Sequence, residues 1–323
     1  MDPEDIAQVV AGLRQAVQAH RLEPSTAAAE FGWQELLEDE PEVAVGTWFS
    51  LAGELLTRGS LLHEVVVHEG FGIDEAGATR VVLPPAGQHR IASQWTGDGT
   101  LSIDGIVQAG NGPAVVPCLD SSGAVVFVHV ESLPVEERDP LDSDALWAIV
   151  RVQVGTDVAT RVLVPGNDDA EQVWDRMVAA GRRSLTHELI AVAAAMTTMT
   201  VEHVKSRNQF GQALGSFQAV KHQLADVHLW HEVAELAAAA AWEDRESASA
   251  ALAKATANRF AKTARATCQQ LLGGMGFTWE HDFHRYLRRA LTIEPLLGST
   301  SDLHTELGVA LRAGAIDNAM VAL

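Results

Sequence analysis

Apolar residues near the start of the chain recur with a helical period: Ile6, Val9, Val10, Leu13 and Val17 are spaced one to four positions apart on one face. Pro24-Ser25 and Pro41 interrupt the pattern, and Trp48 to Val67 form a further apolar segment. Between about residues 74 and 165 the period shortens. Arg80–Leu83, Leu101–Val107, Ala124–Val130 and Leu146–Val154 are short β-branched runs separated by Gly, Pro and Asp clusters, the pattern of strands. From Asp168 the helical period returns. Leu185, Leu189, Val192, Met196 and Met199 predict one stripe of a long helix. Val220, Leu224, Val227 and Ala234 mark a second helix. Leu252, Phe260, Thr267 and Leu271 mark a third, ended by Gly273-Gly274 as a glycine cap. Three lobes are therefore expected, at 1–72, 73–166 and 167–323: helical, β-rich and four-helix, with no internal repeat.

Charge narrows the partners. The 323 residues include 43 Asp and Glu against 23 Lys and Arg, a formal net charge of −20. Such a chain repels phosphate backbones and anionic lipid, so nucleic-acid or membrane-surface binding is not expected as a main role. An apolar content of 47% is enough for a packed core. Two cysteines, Cys118 and Cys268, support neither a disulfide framework nor a Cys-rich zinc site, and they fit a reducing compartment. Met1-Asp2-Pro3-Glu4-Asp5 is acidic where a secretory signal would be basic, and no apolar run is long enough to cross a bilayer. A cytoplasmic protein is the expectation.

Several common sites are missing. His63-Glu64-Val65-Val66-Val67-His68 has one residue too many for the zinc-protease pattern, leaving its histidines about 140° apart on a helix. His228 with His231, and His281 with His284, are pairs three apart that read as helix histidines lacking a carboxylate motif, so no metal is expected. There is no Gly-x-Ser-x-Gly, no Walker loop and no Gly-x-Gly-x-x-Gly.

Two segments of the last lobe carry more information. Ser206-Arg207-Asn208-Gln209-Phe210-Gly211 ends the long helix, with Gln218 eight residues beyond Phe210. Gln269-Gln270-Leu271-Leu272-Gly273-Gly274-Met275-Gly276-Phe277-Thr278 ends the third helix, followed by Glu280-His281 and Arg288-Arg289. A guanidinium beside a glycine suits a phosphate or carboxylate, and a glycine-rich turn lets backbone lie against a flat or anionic group. Read without further context, Arg207 simply caps its helix and Gly273-Gly274 end theirs. Arg288-Arg289 are expected in surface ion pairs.

Taken together, Arg-x-Gln-Phe-Gly, the later Gln, and Gln-x-x-Gly-Gly-x-Gly-Phe-Thr resemble the acyl-CoA dehydrogenase family from about Arg182 to Gly308. The resemblance implies an α+β fold: an N-terminal helical domain, a β-barrel-like middle domain and a C-terminal four-helix bundle, with FAD bound across a subunit interface. It implies that Arg207, Gln209 and Phe210 reach the flavin held mainly by the other subunit, with Gln218 part of the same motif. Gln270, Gly273 and Gly274 would serve its adenine–pyrophosphate half. Family chemistry removes two hydrogens from an acyl thioester: a carboxylate takes the α-proton and a hydride passes from Cβ to the flavin.

The departures are as informative. The family base is usually a Glu before Gly-Thr-Ser, and here Gly298 stands there in Leu297-Gly298-Ser299-Thr300-Ser301. The alternative base is a Glu before Arg at the start of the long helix, and here the pair is Gly181-Arg182. The family's Glu-Pro-x-Ala-Gly-Ser-Asp loop reads Leu83-Pro84-Pro85-Ala86-Gly87-Gln88-His89. The strand that usually carries Trp-Ile-Thr reads Gly105 to Pro113, without aromatic, Ser or Thr. The contacts lent across an interface are kept and those serving the chain's own flavin are lost, so no catalytic residue is expected.

The pattern resembles the short, non-catalytic subunit of actinobacterial heteromeric, α2β2 acyl-CoA dehydrogenases that act on steroid-derived CoA thioesters. What it implies is an FAD-completing subunit paired with a longer catalytic one, an acyl-CoA substrate, and an electron-transferring flavoprotein as acceptor. Two other readings stay open. One is a self-sufficient homomeric dehydrogenase with a base relocated to Glu294, Asp302 or Glu280; the other is a flavin-free scaffold of the same fold.

Overall fold

A computed structural model describes residues 3–20, 23–72, 80–96, 100–136, 140–155, 160–163 and 169–316. The expected lobe boundaries at 72/73 and 166/167 adjoin residues 73–79 and 164–168, which lie outside the described residues.

Five helices come first: α1 (Pro3–Ala19), α2 (Pro24–Phe31), α3 (Trp33–Asp39), α4 (Pro41–Leu55) and α5 (Leu62–Phe71). Pro24 and Pro41, which interrupt the apolar pattern, stand at the first positions of α2 and α4, where a missing N–H costs nothing. Gly32, at φ +72°, turns the chain between α2 and α3.

Seven strands follow: β1 (Arg80–Val81), β2 (Gln94–Trp95), β3 (Leu101–Gln108), β4 (Ala114–Leu119), β5 (Val125–Val130), β6 (Trp147–Val154) and β7 (Thr160–Leu163). They form one sheet in the order β6-β3-β2-β4-β5-β7, with β1 alongside β4. The β3–β6 pair is antiparallel from Leu101↔Val154 to Gln108↔Trp147. Alternation sends successive side chains to opposite faces. Val81, Val115 and Phe127 join the main helical core, whereas Val82, Val116 and Val128 join a second core with Ile103 and Val150, inside the curl of the sheet. β4 is absent from the expected strands because Pro117 lies within it. Its side away from β5 meets β1 at Ala114 and Val115 and β2 at Leu119, so Pro117 falls in the gap between them.

The last lobe comprises α6 (Ala170–Ser206), a two-stranded hairpin β8 (Asn208–Gln209) and β9 (Gln212–Ala213), α7 (Gln218–Glu243), α8 (Ser247–Leu272), α9 (Phe283–Ile293) and α10 (Thr300–Arg312). Asp169 caps α6, accepting from the Glu171 amide at 2.8 Å. α8 packs on α6, α7 and α10, while α4 and α5 lie against the same central α6. The α6 stripe from Leu185 to Met196 is buried as its spacing predicts. The α8 expectation needs correction at Leu252, which is 53% exposed. The buried face of α8 is built instead from Ala250, Ala253, Ala257, Phe260, Ala261 and Ala264, whose small side chains allow close approach. Arg289 is a second correction. It is 1% exposed rather than on the surface, and it donates to Asp142 of the middle lobe, Glu188 of α6 and the Thr57 carbonyl.

Candidate functional site

The helices reverse direction twice between α6 and α8, so the C-termini of both emerge at one end of the bundle. Arg207 follows α6 directly, its amide bonded to the His203 carbonyl at 2.9 Å. The hairpin after it turns on Phe210 and Gly211, at φ +53° and +81°. Two successive positive φ values make a type I′ turn, in which Asn-Gly or Gly-Gly is usual and Phe is not. Phe210 is 91% exposed, touching Phe217 edge-on at 6.3 Å. Gln209 and Gln218 are also exposed, Gln218 at the first position of α7.

Gln270 is exposed in the last turn of α8, and Gly273, at φ +57°, caps the helix through its amide to the Gln269 and Gln270 carbonyls. His203 links the two segments: burial, then His281 and Arg207 beside it, lower its proton affinity. Phe277 and Trp279 stand 73% and 75% exposed at the same end. Trp279 is held by His284 at 4.6 Å and by the Arg288 guanidinium at 5.1 Å.

This end is open to solvent and could receive an anionic group brought from outside. A Cβ placed on Gly211, Gly273 or Gly274 would meet nothing within 4 Å, so an open cradle runs past bare backbone. Among the described residues no carboxylate lies within ion-pair reach of Arg207. Its five donors remain available, and the C-terminal dipole of α6 favours the cation there.

The other half of the site is closed. A Cβ added to Gly181 of α6 would collide with the Leu297 Cδ1 methyl and would stand 3.0 Å from Val66 Cγ2 and 3.8 Å from Leu62 Cδ1. Leu297 is 1% exposed, in the left-handed region at φ +56°. Gly298 has φ +120°, and a Cβ there would sit 2.9 Å from Leu303. Both expected base positions thus lack a carboxylate and lack space for one. Leu297 is the residue that sequence reasoning missed; its only signal is a bulky apolar side chain next to the glycine that replaces the Glu.

The loop after β1 is fastened over the same place. The Gly87 amide donates to the Pro295 carbonyl at 2.8 Å, and the Ser299 amide donates to the Gly87 carbonyl at 3.2 Å. His89 Nδ1 lies 2.6 Å from Asp302 Oδ2 and 3.5 Å from Glu306 Oε2. Arg182 grips Glu306 with both arms at 2.8 and 2.6 Å and donates Nε to the Leu297 carbonyl at 3.1 Å. Nearby, Lys254 is fully buried, its Nζ on Asn258 Oδ1 and the Glu294 carbonyl, and burial pushes its amine down to about 7.

Two of the three relocated-base candidates are engaged in ion pairs. Glu294 pairs with Arg265, Asp302 with His89, and Glu280 is exposed beyond α8. The Gly105–Pro113 segment is likewise engaged: carbonyls of Gln108, Gly110 and Gly112, with that of Leu133, all accept from the Arg80 guanidinium.

A cavity of about 500 Å³ lies elsewhere, between α2, α3 and α5, lined in part by Trp33, His63, Glu64 and Arg80. Burial pushes the Glu64 carboxyl up to about 7 and the His63 imidazole down to about 4.

Residues 172–307 match the family model described as acyl-CoA dehydrogenase, C-terminal domain. The chain is 40% identical over 119 residues to acyl-CoA dehydrogenase IpdE2 of Mycobacterium tuberculosis, covering 37% of each chain. It is 33% identical over 275 residues to acyl-CoA dehydrogenase FadE34 of the same organism, covering 76% of this chain and 37% of that one. The chain therefore spans little more than a third of the length of these relatives. Among solved structures, a variant of the Tcur3481-Tcur3483 steroid ACAD superposes with TM-score 0.76 at 21% identity, covering 97% of this chain and 99% of that one. The ChsE4-ChsE5 complex from Mycobacterium tuberculosis gives TM-score 0.67 at 19% identity over 97% and 98% of the two chains.

Proposed function

Given the acyl-CoA dehydrogenase fold of the chain and the acyl-CoA dehydrogenase C-terminal domain at residues 172–307, we propose that this protein is the FAD-completing, base-lacking subunit of a heteromeric, α2β2 acyl-CoA dehydrogenase. The observation that carries the reading is the asymmetry of the two half-sites. Arg207, Gln209, Phe210, Gln218, Gln270, Gly273 and Gly274 sit at or beside an open bundle end, while Gly181 and Gly298 lie in a space filled by Leu297 and Leu303.

In this assembly the flavin is held mainly by a longer catalytic subunit, and when bound it supplies the electron-accepting chemistry for α,β-dehydrogenation of an acyl-CoA thioester. Arg207 would offer a fixed cation and paired donors to the cofactor's pyrophosphate. Gly273 and Gly274 let backbone amides approach it without side-chain obstruction. Phe210, exposed at the same end, would lie against the cofactor and keep water from it. The base comes from the partner. The similarity to a steroid ACAD supports a steroid-derived acyl group. An electron-transferring flavoprotein is the acceptor that the family habit supplies.

Co-expression with the longer subunit, followed by flavin-to-protein stoichiometry, tests the reading. The complex should be yellow with one flavin per pair of unlike subunits, and the lone chain colourless. Arg207→Ala should lower flavin content in the complex. Full flavin loading of the lone chain would overturn the proposal.

A further inference from the structure

The outer face of α7 carries the run His228-Leu229-Trp230-His231-Glu232. Positions three and four apart on a helix share a face, so His228 meets His231 and also Glu232. In the structure one imidazole nitrogen from each histidine and one carboxylate oxygen of Glu232 lie within 4.8 Å of one another. His228 Nδ1 is 3.7 Å from Glu232 Oε1, and the two imidazole centroids are 6.5 Å apart. The carboxylate that a histidine pair needs is thus supplied by the very next residue.

His231 is held in place rather than free to rotate. Its ring stacks on Phe260 of α8 at 4.9 Å and 16° between planes. Its Nε2 lies 3.5 Å from Glu235 Oε1. A carboxylate behind a histidine is the usual arrangement that fixes ring orientation and strengthens the other nitrogen as a ligand. His228 and Glu232 are exposed, leaving water free to complete the coordination shell.

We propose that His228, His231 and Glu232 hold one divalent first-row transition-metal ion of the Zn²⁺ or Ni²⁺ kind on the outer face of α7. Two imidazoles and one carboxylate suit these borderline cations, whereas Mg²⁺ and Ca²⁺ select oxygen-only shells. A net charge of −20 concentrates cations around the chain. The ion ties residues one turn apart and so staples that turn of α7. This departs from the expectation of no metal drawn from sequence spacing, and it is independent of the flavin reading.

The test uses tag-free protein stripped with a chelator and titrated with Zn²⁺ in competition with a fluorescent zinc indicator. Wild type should take about one equivalent, with affinity at least tenfold weaker in His228→Ala and in His231→Ala, and weaker in Glu232→Gln. His304→Ala, an exposed histidine on α10, should leave affinity unchanged. Zn²⁺ should also raise the thermal midpoint of wild type but not of His231→Ala. No stoichiometric binding, or equal losses in His304→Ala and His231→Ala, would overturn the proposal as adventitious surface coordination only.

Discussion

The Cδ1 methyl of Leu297 occupies the position that a Cβ on Gly181 would need. The two residues are 116 apart in sequence yet define one another: the glycine is obligatory because the leucine is there. Gly181→Ala forces a methyl into a packed site and should cost about 1–3 kcal/mol. Leu297→Ala removes a buried side chain and should cost about 2–5 kcal/mol. Combined, the two should lose at least ~1 kcal/mol less than their sum, because the smaller side chain makes room for the methyl. Chemical denaturation of the four proteins measures this coupling. Strict additivity would contradict the contact.

Arg289 joins the lobes through charge rather than apolar surface. It is buried with two carboxylates, Asp142 at 2.6 Å and Glu188 at 3.0 Å, and burial pushes the Glu188 carboxyl up against the pull of the guanidinium. Arg289→Ala leaves both carboxylates without their cation and should cost about 3–5 kcal/mol. Arg285→Ala, one turn earlier and part-exposed beside Asp282, should cost under ~1 kcal/mol. Denaturant midpoints of the two variants distinguish an interlobe clamp from an ordinary surface pair.

Glu64 makes stability depend on pH in a stated direction. Burial raises its carboxyl from 4.5 in the unfolded chain to about 7 in the folded one. Its contribution is therefore fully present below 4.5 and is lost as pH rises towards and through about 7, because the unfolded chain ionises first. Glu64→Gln removes this dependence. Relative to wild type the variant should gain about 2 kcal/mol between pH 5 and pH 8. Denaturation curves at the two pH values check it, and a pH-independent difference would sink the assignment.

Much of this was legible from local pattern and some was not. Helical periods at Leu185–Met196 and alternation at Leu101–Val107 survive because those elements bury one defined face or pair along their whole length. Leu252 misled because an alanine-rich helix chooses its buried face by closeness of approach, which apolar spacing does not encode. Pro117 concealed a strand because its tolerance depends on where β1 stops and β2 begins. The two glycines at the base positions could be read directly, yet the side chains that fill the space beside them come from α5, from the loop before α10 and from α10 itself. Such closure is a tertiary fact, as are the Gly87–Pro295 and His89–Asp302 contacts across the lobes.

Phe210 offers a way to separate the fold from the proposed cofactor role. A non-glycine residue at φ +53° stores roughly 1 kcal/mol of backbone strain, and an exposed ring recovers little of it within the isolated chain. Asn is the residue such a turn prefers. Phe210→Asn should therefore leave the thermal midpoint unchanged or raise it slightly, while lowering the flavin content of the complex with the longer subunit. The two readouts must move apart: a ring that merely packs against Phe217 would lower stability on removal and leave flavin content alone. Thermal denaturation of the lone chain beside the absorbance ratio of flavin to protein in the complex decides between them.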